Sequence, residues 1–180
     1  VNLDGKPDLV VPDGGGQGQV HVMLNDGSGA FPSSSPFQAG LVNAGLPLTF
    51  GDVNGDLFTD LIFGQTNSPT VLVLLNNMGG GFSAPQSFGS AQIPGRPLVL
   101  GDVNGDGHPD LVYTLPGTPS VGVMLNKGDG AFKSGTTFPT LSGNAGLTLQ
   151  VGDMNGDGRP DLVMTNLSNS DVTILTNTCP

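Results

Sequence analysis

The chain has 180 residues, 36% of them hydrophobic and only 6% aromatic, which is enough apolar material for a globular core; its 30 glycines and 15 prolines signal disorder unless they recur at turns. All 15 acidic residues are Asp, against five Lys and Arg, for a formal charge of −10, and this balance excludes the basic footprint of a nucleic-acid-binding surface. No run approaches the roughly 18–20 apolar residues of a membrane helix, and Val1 opens no charged-then-apolar leader, so the expectation is a soluble, non-transmembrane chain with any targeting segment outside it.

The first unit, residues 1–45, opens inside a nine-residue pattern that later units complete. Asn2, Asp4 and Asp8 fill its third, fifth and ninth places and Lys6 its seventh. Alternation over Val20–Leu24 predicts a strand. The glycine-rich Asn25–Phe31 reads as a hairpin turn with Phe31 buried beyond it, and Ser33, Ser34 and Ser35 read as a linker-like run before the next strand. In the second unit, residues 46–95, an apolar stretch Leu46–Phe50 leads into Asp52, Asn54, Asp56 and Asp60 at places one, three, five and nine, with Phe58 at place seven. A strand Asp60–Phe63, an alternating run Val71–Leu75 and a turn Asn76–Phe82 follow. The third unit, residues 96–146, repeats the order: Leu98–Leu100, then Asp102, Asn104, Asp106 and Asp110 with His108 at place seven, a strand Asp110–Tyr113, Val121–Leu125 and Asn126–Phe132. The fourth, residues 147–180, has Leu147–Val151, then Asp153, Asn155, Asp157 and Asp161 with Arg159 at place seven, and a strand Val172–Leu175. After Asn177 the turn pattern gives way to Thr178-Cys179-Pro180.

The central Asp recurs at 4, 56, 106 and 157, intervals of 52, 50 and 51 residues, a period that belongs to propeller blades and solenoids. Each period holds four short strands, here called A to D, and no room for a capped helix. The expected fold is therefore all-β, with blades of four antiparallel strands. Counting B-C-D, two sets of A-B-C-D and A-B-C predicts fourteen strands, or about three and a half blades. The reading is of half a roughly seven-bladed propeller, whose edges upstream blades or a second copy must cover.

Oxygen ligands at places one, three, five and nine with a backbone carbonyl at seven can converge on one hard cation, and Ca²⁺ takes six to eight oxygens. The variety at place seven (Lys6, Phe58, His108, Arg159) suits a residue that offers only its carbonyl. Glycine at place six (Gly107, Gly158) permits a positive φ, and Leu57 is the departure there. An EF-hand would need a Glu at place twelve and flanking helices; the chain has no Glu, and place nine runs straight into a strand. Four Ca²⁺ would bring the formal −10 to −2 and relieve repulsion among the carboxylates.

The Gly-Asp-Val-Asn-Gly-Asp-Gly-x-Pro-Asp-Leu-Val signature of residues 101–112, with Asn-x-Gly-x-Gly-x-Phe downstream, resembles the FG-GAP or VCBS repeats across essentially the whole chain. The resemblance implies the propeller of integrin α subunits, with a calcium loop between strands A and B, and it makes the Asp and Asn positions above structural ligands. It also implies that the B–C loops (Pro12–Gly18, Gly64–Pro69, Thr114–Ser120, Asn166–Ser170) and the D-to-A connections share the face opposite the calcium loops. Loops on a rigid scaffold commonly carry binding.

No catalytic constellation accompanies these motifs. His21 and His108 are isolated, Ser33–Ser35 lack a nucleophile-elbow pattern, Cys179 is a lone cysteine, and Asn166-Leu167-Ser168 is a sequon of the kind that arises by chance. The expected function is a secreted or cell-surface, calcium-stabilised binding or adhesion scaffold with a protein or glycan ligand. The alternative is the propeller of a secreted lyase or dehydratase with its catalytic residues elsewhere.

Overall fold

The computed structural model describes residues 1–13, 18–40, 47–78, 80–95, 97–140, 145–166 and 170–178, with the backbone alone at 145–147. The sequon residues Leu167 and Ser168, the tip of the first B–C loop at 14–17, Leu46 and Cys179 lie outside the described residues.

Among the described residues fourteen strands form four antiparallel sheets. The first contains β1 (Leu9–Pro12), β2 (Gln19–Leu24) and β3 (Ser33–Gln38). The second contains β4 (Leu48–Gly51), β5 (Asp60–Gly64), β6 (Thr70–Leu74) and β7 (Gln86–Gly89). The third contains β8 (Leu98–Gly101), β9 (Asp110–Thr114), β10 (Ser120–Met124) and β11 (Thr136–Pro139). The fourth contains β12 (Ala145–Gly152), β13 (Asp161–Asn166) and β14 (Asp171–Leu175). Within every sheet the strands lie in chain order, each paired with its sequence neighbour. This is the B-C-D, A-B-C-D, A-B-C-D, A-B-C series expected from the repeats, so the chain is a run of partial and complete propeller blades.

The period of two explains how the sheets stack. In β5, Leu61 and Phe63 point into the layer shared with the first sheet, beside Val20 and Val22, while Ile62 points into the layer shared with the third, beside Leu111 and Tyr113. In β9 the same alternation sends Leu111 and Tyr113 one way and Val112 the other, to Leu149 and Met164 of the fourth sheet. The B strands are therefore apolar on both faces, and each fully buried Leu, Ile or Phe contributes about 1.5–3 kcal/mol. The outermost faces show the converse. Leu9 and Val11, equivalent to Leu61 and Phe63, are 44% and 45% exposed, and Val172 and Ile174, equivalent to the buried Val71 and Val73, are 61% and 48% exposed. Among the described residues no sheet covers them.

The A strands β4, β8 and β12 run side by side as the inner edges of their blades. Their closeness accounts for the glycine that precedes place one. A Cβ at Gly51 would lie 2.7 Å from Leu100 Cδ1, and one at Gly101 2.6 Å from Val151 Cγ1.

Three expectations need correction. Ser33–Ser35 are not a linker but the first half of β3, hydrogen-bonded to Val22–Leu24, so the backbone ladder outweighs the poor strand propensity of serine. Phe31 is half-buried, whereas Phe82 and Phe132 are buried, because these two pack against Phe37 and Phe88 of the preceding sheet (centroids 5.6 and 6.0 Å apart) and among the described residues the first sheet has no such neighbour. β12 begins at Ala145 rather than Leu147, with a register irregularity before Leu149.

Candidate metal centre

Each A-to-B connection folds on its own side chains. At place one, Asp52 accepts the N–H groups of Gly55 (2.7 Å) and Asp56 (3.2 Å) on Oδ1 and of Leu57 (2.8 Å) on Oδ2. Asp102 and Asp153 accept from the corresponding residues, Gly105, Asp106 and Gly107 and Gly156, Asp157 and Gly158. At place three, Asn2, Asn54, Asn104 and Asn155 each accept the N–H of place five and donate Nδ2–H to its carboxylate. At place five, Asp4, Asp56, Asp106 and Asp157 accept the N–H of place seven at 2.8–2.9 Å. Short side-chain acceptors that turn the backbone in this way explain why the chain uses Asp and Asn here and never Glu.

Place nine has a different task. Asp60, Asp110 and Asp161 are completely buried, and each ties its loop to a second segment. Oδ2 accepts the N–H of place two, from Val53, Val103 or Met154 at 3.0–3.1 Å. Oδ1 accepts the N–H of the asparagine that opens the C-to-D turn, Asn76, Asn126 or Asn177, each at 2.8 Å. In the first loop Asp8 accepts from Asn25 N–H (2.9 Å) and, in the place-two position, from the backbone nitrogen of Val1 (3.0 Å).

The turn asparagines Asn76, Asn126 and Asn177 tie each loop to the one before it, a link that the nine-residue spacing does not reveal. Asn76 Nδ2 donates to the carbonyl of Thr59 in its own loop and to that of Val1 in the preceding loop. Asn126 Nδ2 does the same to Pro109 and Val53, and Asn177 Nδ2 reaches Val103 at 2.7 Å. The signal was present in the sequence: these asparagines stand 16 residues after place nine in three units and 17 in the first.

Three of the place-seven side chains, Lys6, His108 and Arg159, also reach the turn of their own unit. Lys6 Nζ donates to Asp26 O (2.9 Å), the His108 ring lies where a Cβ on Gly128 would meet it at 2.6 Å, and Arg159 donates to Asn177 O and pairs with Asp157 at 2.7 Å.

Leu57 at place six has φ 71°, beside 86° and 82° for Gly107 and Gly158, so the left-handed geometry inferred from glycine holds even where glycine is absent. Two further departures went unmarked in the sequence. Leu3 (φ 59°) takes place four, which is glycine in the other loops, and Met78 (φ 66°) takes the turn position of Gly27 and Gly128. Leu57 is 79% exposed, so no packing offsets its strain of about 1 kcal/mol. Leu57→Gly is therefore expected to stabilise the protein by up to about 1 kcal/mol, net of the extra entropy of the unfolded chain. It should also tighten cation uptake by the second loop. A calorimetric titration in which the variant binds equally or more weakly would contradict the place-six requirement.

Charge sets the chemistry of the loops. Burial pushes the carboxyls of Asp60 and Asp110 above the ordinary range, the charges of places five and one add to that rise, and the backbone N–H bonds oppose it. Asp106 is held low, first by Asn104 and then by the His108 N–H, and Asp153 first by the Gly158 N–H. Among the described residues no three acidic, histidine or cysteine side chains stand as a ready-made cage, because their oxygens are turned onto loop amides. The donor chemistry nonetheless fits a hard cation. Each complete loop gathers three carboxylates and an amide oxygen within nine residues, and at Asp60 and Asp110 burial first, then the like charges of places five and one, disfavours the ionised place-nine carboxylate.

The other end of the blades carries the B–C loops and the D-to-A connections, as their hydrogen bonds Ser90 N–H to Pro69 O, Gly95 N–H to Thr114 O and Thr140 N–H to Pro119 O show. A cleft of about 510 Å³ opens between the third and fourth sheets and reaches the third Asp loop, bordered by Asn104, Val123, Phe138, Leu162, Leu175 and Asn177.

A family model described as FG-GAP-like repeat matches three overlapping stretches, residues 1–63, 52–113 and 102–164. No curated protein is similar enough in sequence to be matched to the chain. Among solved structures, an Agrocybe aegerita lectin described by its specific recognition of non-reducing terminal N-acetylglucosamine aligns with TM-score 0.60 and 24% identity over 95% of this chain and 52% of its own. The Photorhabdus luminescens Tc holotoxin pore aligns with TM-score 0.57 and 22% identity over 96% of this chain and 8% of its own. A TcdB2-TccC3 structure aligns with TM-score 0.52 and 22% identity over 97% and 9%. At these identities the likeness is one of fold, and the chain spans about half the length of the lectin and under a tenth of the toxin chains.

Proposed function

The chain belongs to the FG-GAP-like repeat family, and from that premise we propose that it is part of a calcium-stabilised β-propeller that works outside the cytosol as a binding scaffold for a glycan or protein ligand. The observation that carries this reading is the repeated loop whose buried place-nine carboxylate sits among like charges. A divalent cation would neutralise that cluster. Asp52, Asn54, Asp56 and Asp60 with the Phe58 carbonyl would hold it in the second loop. Asp102, Asn104, Asp106 and Asp110 with His108 O would do so in the third, and Asp153, Asn155, Asp157 and Asp161 with Arg159 O in the fourth. Asn2, Asp4, Asp8 and the Lys6 carbonyl supply a smaller set in the first. The bound metal supplies positive charge and cross-linking of the loop, not chemistry on a substrate.

An extracellular setting suits this reading, because modules of that class bind calcium with dissociation constants on the order of 10⁻⁴–10⁻³ M, concentrations that the cytosol does not reach. The lectin of the same fold supports testing glycans first. The rigid sheets leave the B–C loops as the variable surface. Calorimetric titration with calcium chloride should give uptake by up to four sites, and no heat together with no calcium by elemental analysis would overturn the metal. A glycan array probed with calcium-loaded protein, run beside a polysaccharide-cleavage screen, tests the ligand class: array binding supports the scaffold, and cleavage would replace it with an enzyme.

A further inference from the structure

The four Asp loops are joined into one hydrogen-bonded series. Val53, at place two of the second loop and fully buried, is gripped from both sides. Its N–H donates to Asp60 of its own loop, and its carbonyl accepts Asn126 Nδ2–H (2.9 Å) and Gly130 N–H (3.0 Å) from the third unit. Val53 stands between Asp52 and Asn54, so its position sets two candidate ligands. Asn126 is in turn fixed by the third loop, through its own N–H to Asp110 (2.8 Å) and its Nδ2–H to Pro109 O (3.1 Å). The same arrangement links the fourth loop to the third, through Asp161, Asn177 and Val103. It also links the second loop to the first, through Asp60, Asn76 and Val1.

We propose that Asn76, Asn126 and Asn177 are positioning residues that couple neighbouring Asp loops, so that cation uptake by one loop raises the affinity of the loop before it. The inference rests on the calcium reading above. A cation that orders places eight and nine of the third loop orders Asn126, and Asn126 then holds place two of the second loop in position before a cation arrives there. The second binding event has less disorder left to remove, which is positive cooperativity. Linkage makes it reciprocal. The route runs through Val53, Asp110 and Asn126, at most 1% exposed, where water does not compete for the bonds.

The test is a calcium chloride titration followed by NMR at the loop glycine amides. Gly55 reports on the second loop, Gly105 and Gly107 on the third, and Gly156 and Gly158 on the fourth. The wild-type protein should titrate with a Hill coefficient above 1. Asp106→Ala, which removes a ligand from the third loop only, should weaken calcium binding at Gly55 by about fivefold or more. Asn126→Ala should weaken it similarly, and the double variant should be no worse than either, a non-additivity that a merely structural role would not produce. Thr118→Ala is the control, since its hydroxyl donates to Leu115 O (3.4 Å) in the B–C loop at the other end of the third blade, and it should leave Gly55 unchanged. If Asn126→Ala does not fold, Asn177→Ala, at a half-buried position, makes the same test on Gly105 and Gly107. Independent titrations, with the Gly55 midpoint unmoved by Asp106→Ala, overturn the coupling and leave the metal reading standing. No calcium-dependent shift at any loop glycine overturns both.

Discussion

Removing calcium with EGTA is expected to lower the melting temperature by about 15 °C or more, and added calcium should restore it. The size follows from linkage: a ligand that binds only the folded state stabilises it by about 2.7 kcal/mol per site at a hundredfold excess over its dissociation constant. Three complete loops would together supply about 8 kcal/mol, comparable to the roughly 5–15 kcal/mol total of a typical domain. The structure says where that energy would be lost. Without a cation, the like charges of places one and five act on a place-nine carboxylate that burial already disfavours at Asp60 and Asp110. Magnesium should restore less, because it demands a tighter octahedral shell and gives up its waters reluctantly. Calorimetric scans in EGTA, calcium and magnesium would check this, and a melt indifferent to all three would remove calcium from the account of stability.

Asp110→Ala should be strongly destabilising, and it should damage the calcium-free protein as well. The side chain is fully buried and accepts two backbone N–H bonds, from Val103 at 3.1 Å and Asn126 at 2.8 Å. Truncation leaves one buried donor (Asn126 N–H) and one part-buried donor (Val103 N–H) without that acceptor, at about 1–3 kcal/mol for the first and less for the second, so a loss of about 2–4 kcal/mol is expected in EGTA. Asp110→Asn keeps one acceptor oxygen and should lose less. If Asp110→Ala unfolded at the same temperature as the parent in EGTA, the latch described here would be wrong.

The pH dependence supplies a second reading of the same residue. Burial, aided by Asp106 and Asp102, raises the Asp110 pKa in the folded state, so the folded chain holds that proton more tightly than the unfolded one. The cost of the ionised form is therefore present above the folded-state pKa and is relieved as pH falls through it towards the ordinary carboxylate value. Asp60 behaves likewise. In EGTA, mild acidification should thus stabilise through these two groups, and the gain should shrink in Asp110→Ala. With calcium present, protons compete for the ligands and the same acidification should destabilise. Exposed Asp106 and Asp153, whose pKa values are lowered, act in the opposite sense, as stability present above the ordinary carboxylate value and lost below it.

Much of this protein was legible in one dimension because its information is local. Strand alternation, the turn glycines and the nine-residue Asp pattern each act over a few residues, and a period near 51 residues copies them, so strand number and order followed from the sequence. The left-handed φ of Leu57 was likewise readable, since a backbone position copied from glycine keeps its shape. Tertiary structure alone decided what joins the copies. Nothing in the nine-residue pattern says that place nine is a buried latch rather than one more exposed ligand, because its burial comes from the strand it starts and from Asn126 sixteen residues on. Nor could spacing show that Asn126 Nδ2 reaches Val53, 73 residues earlier, or that Ser33–Ser35 would be drawn into a strand by the ladder of β2. Those contacts depend on how closely one blade stacks on the next, a distance set by the apolar layers between sheets and by the glycines at 51 and 101 that let the inner strands approach.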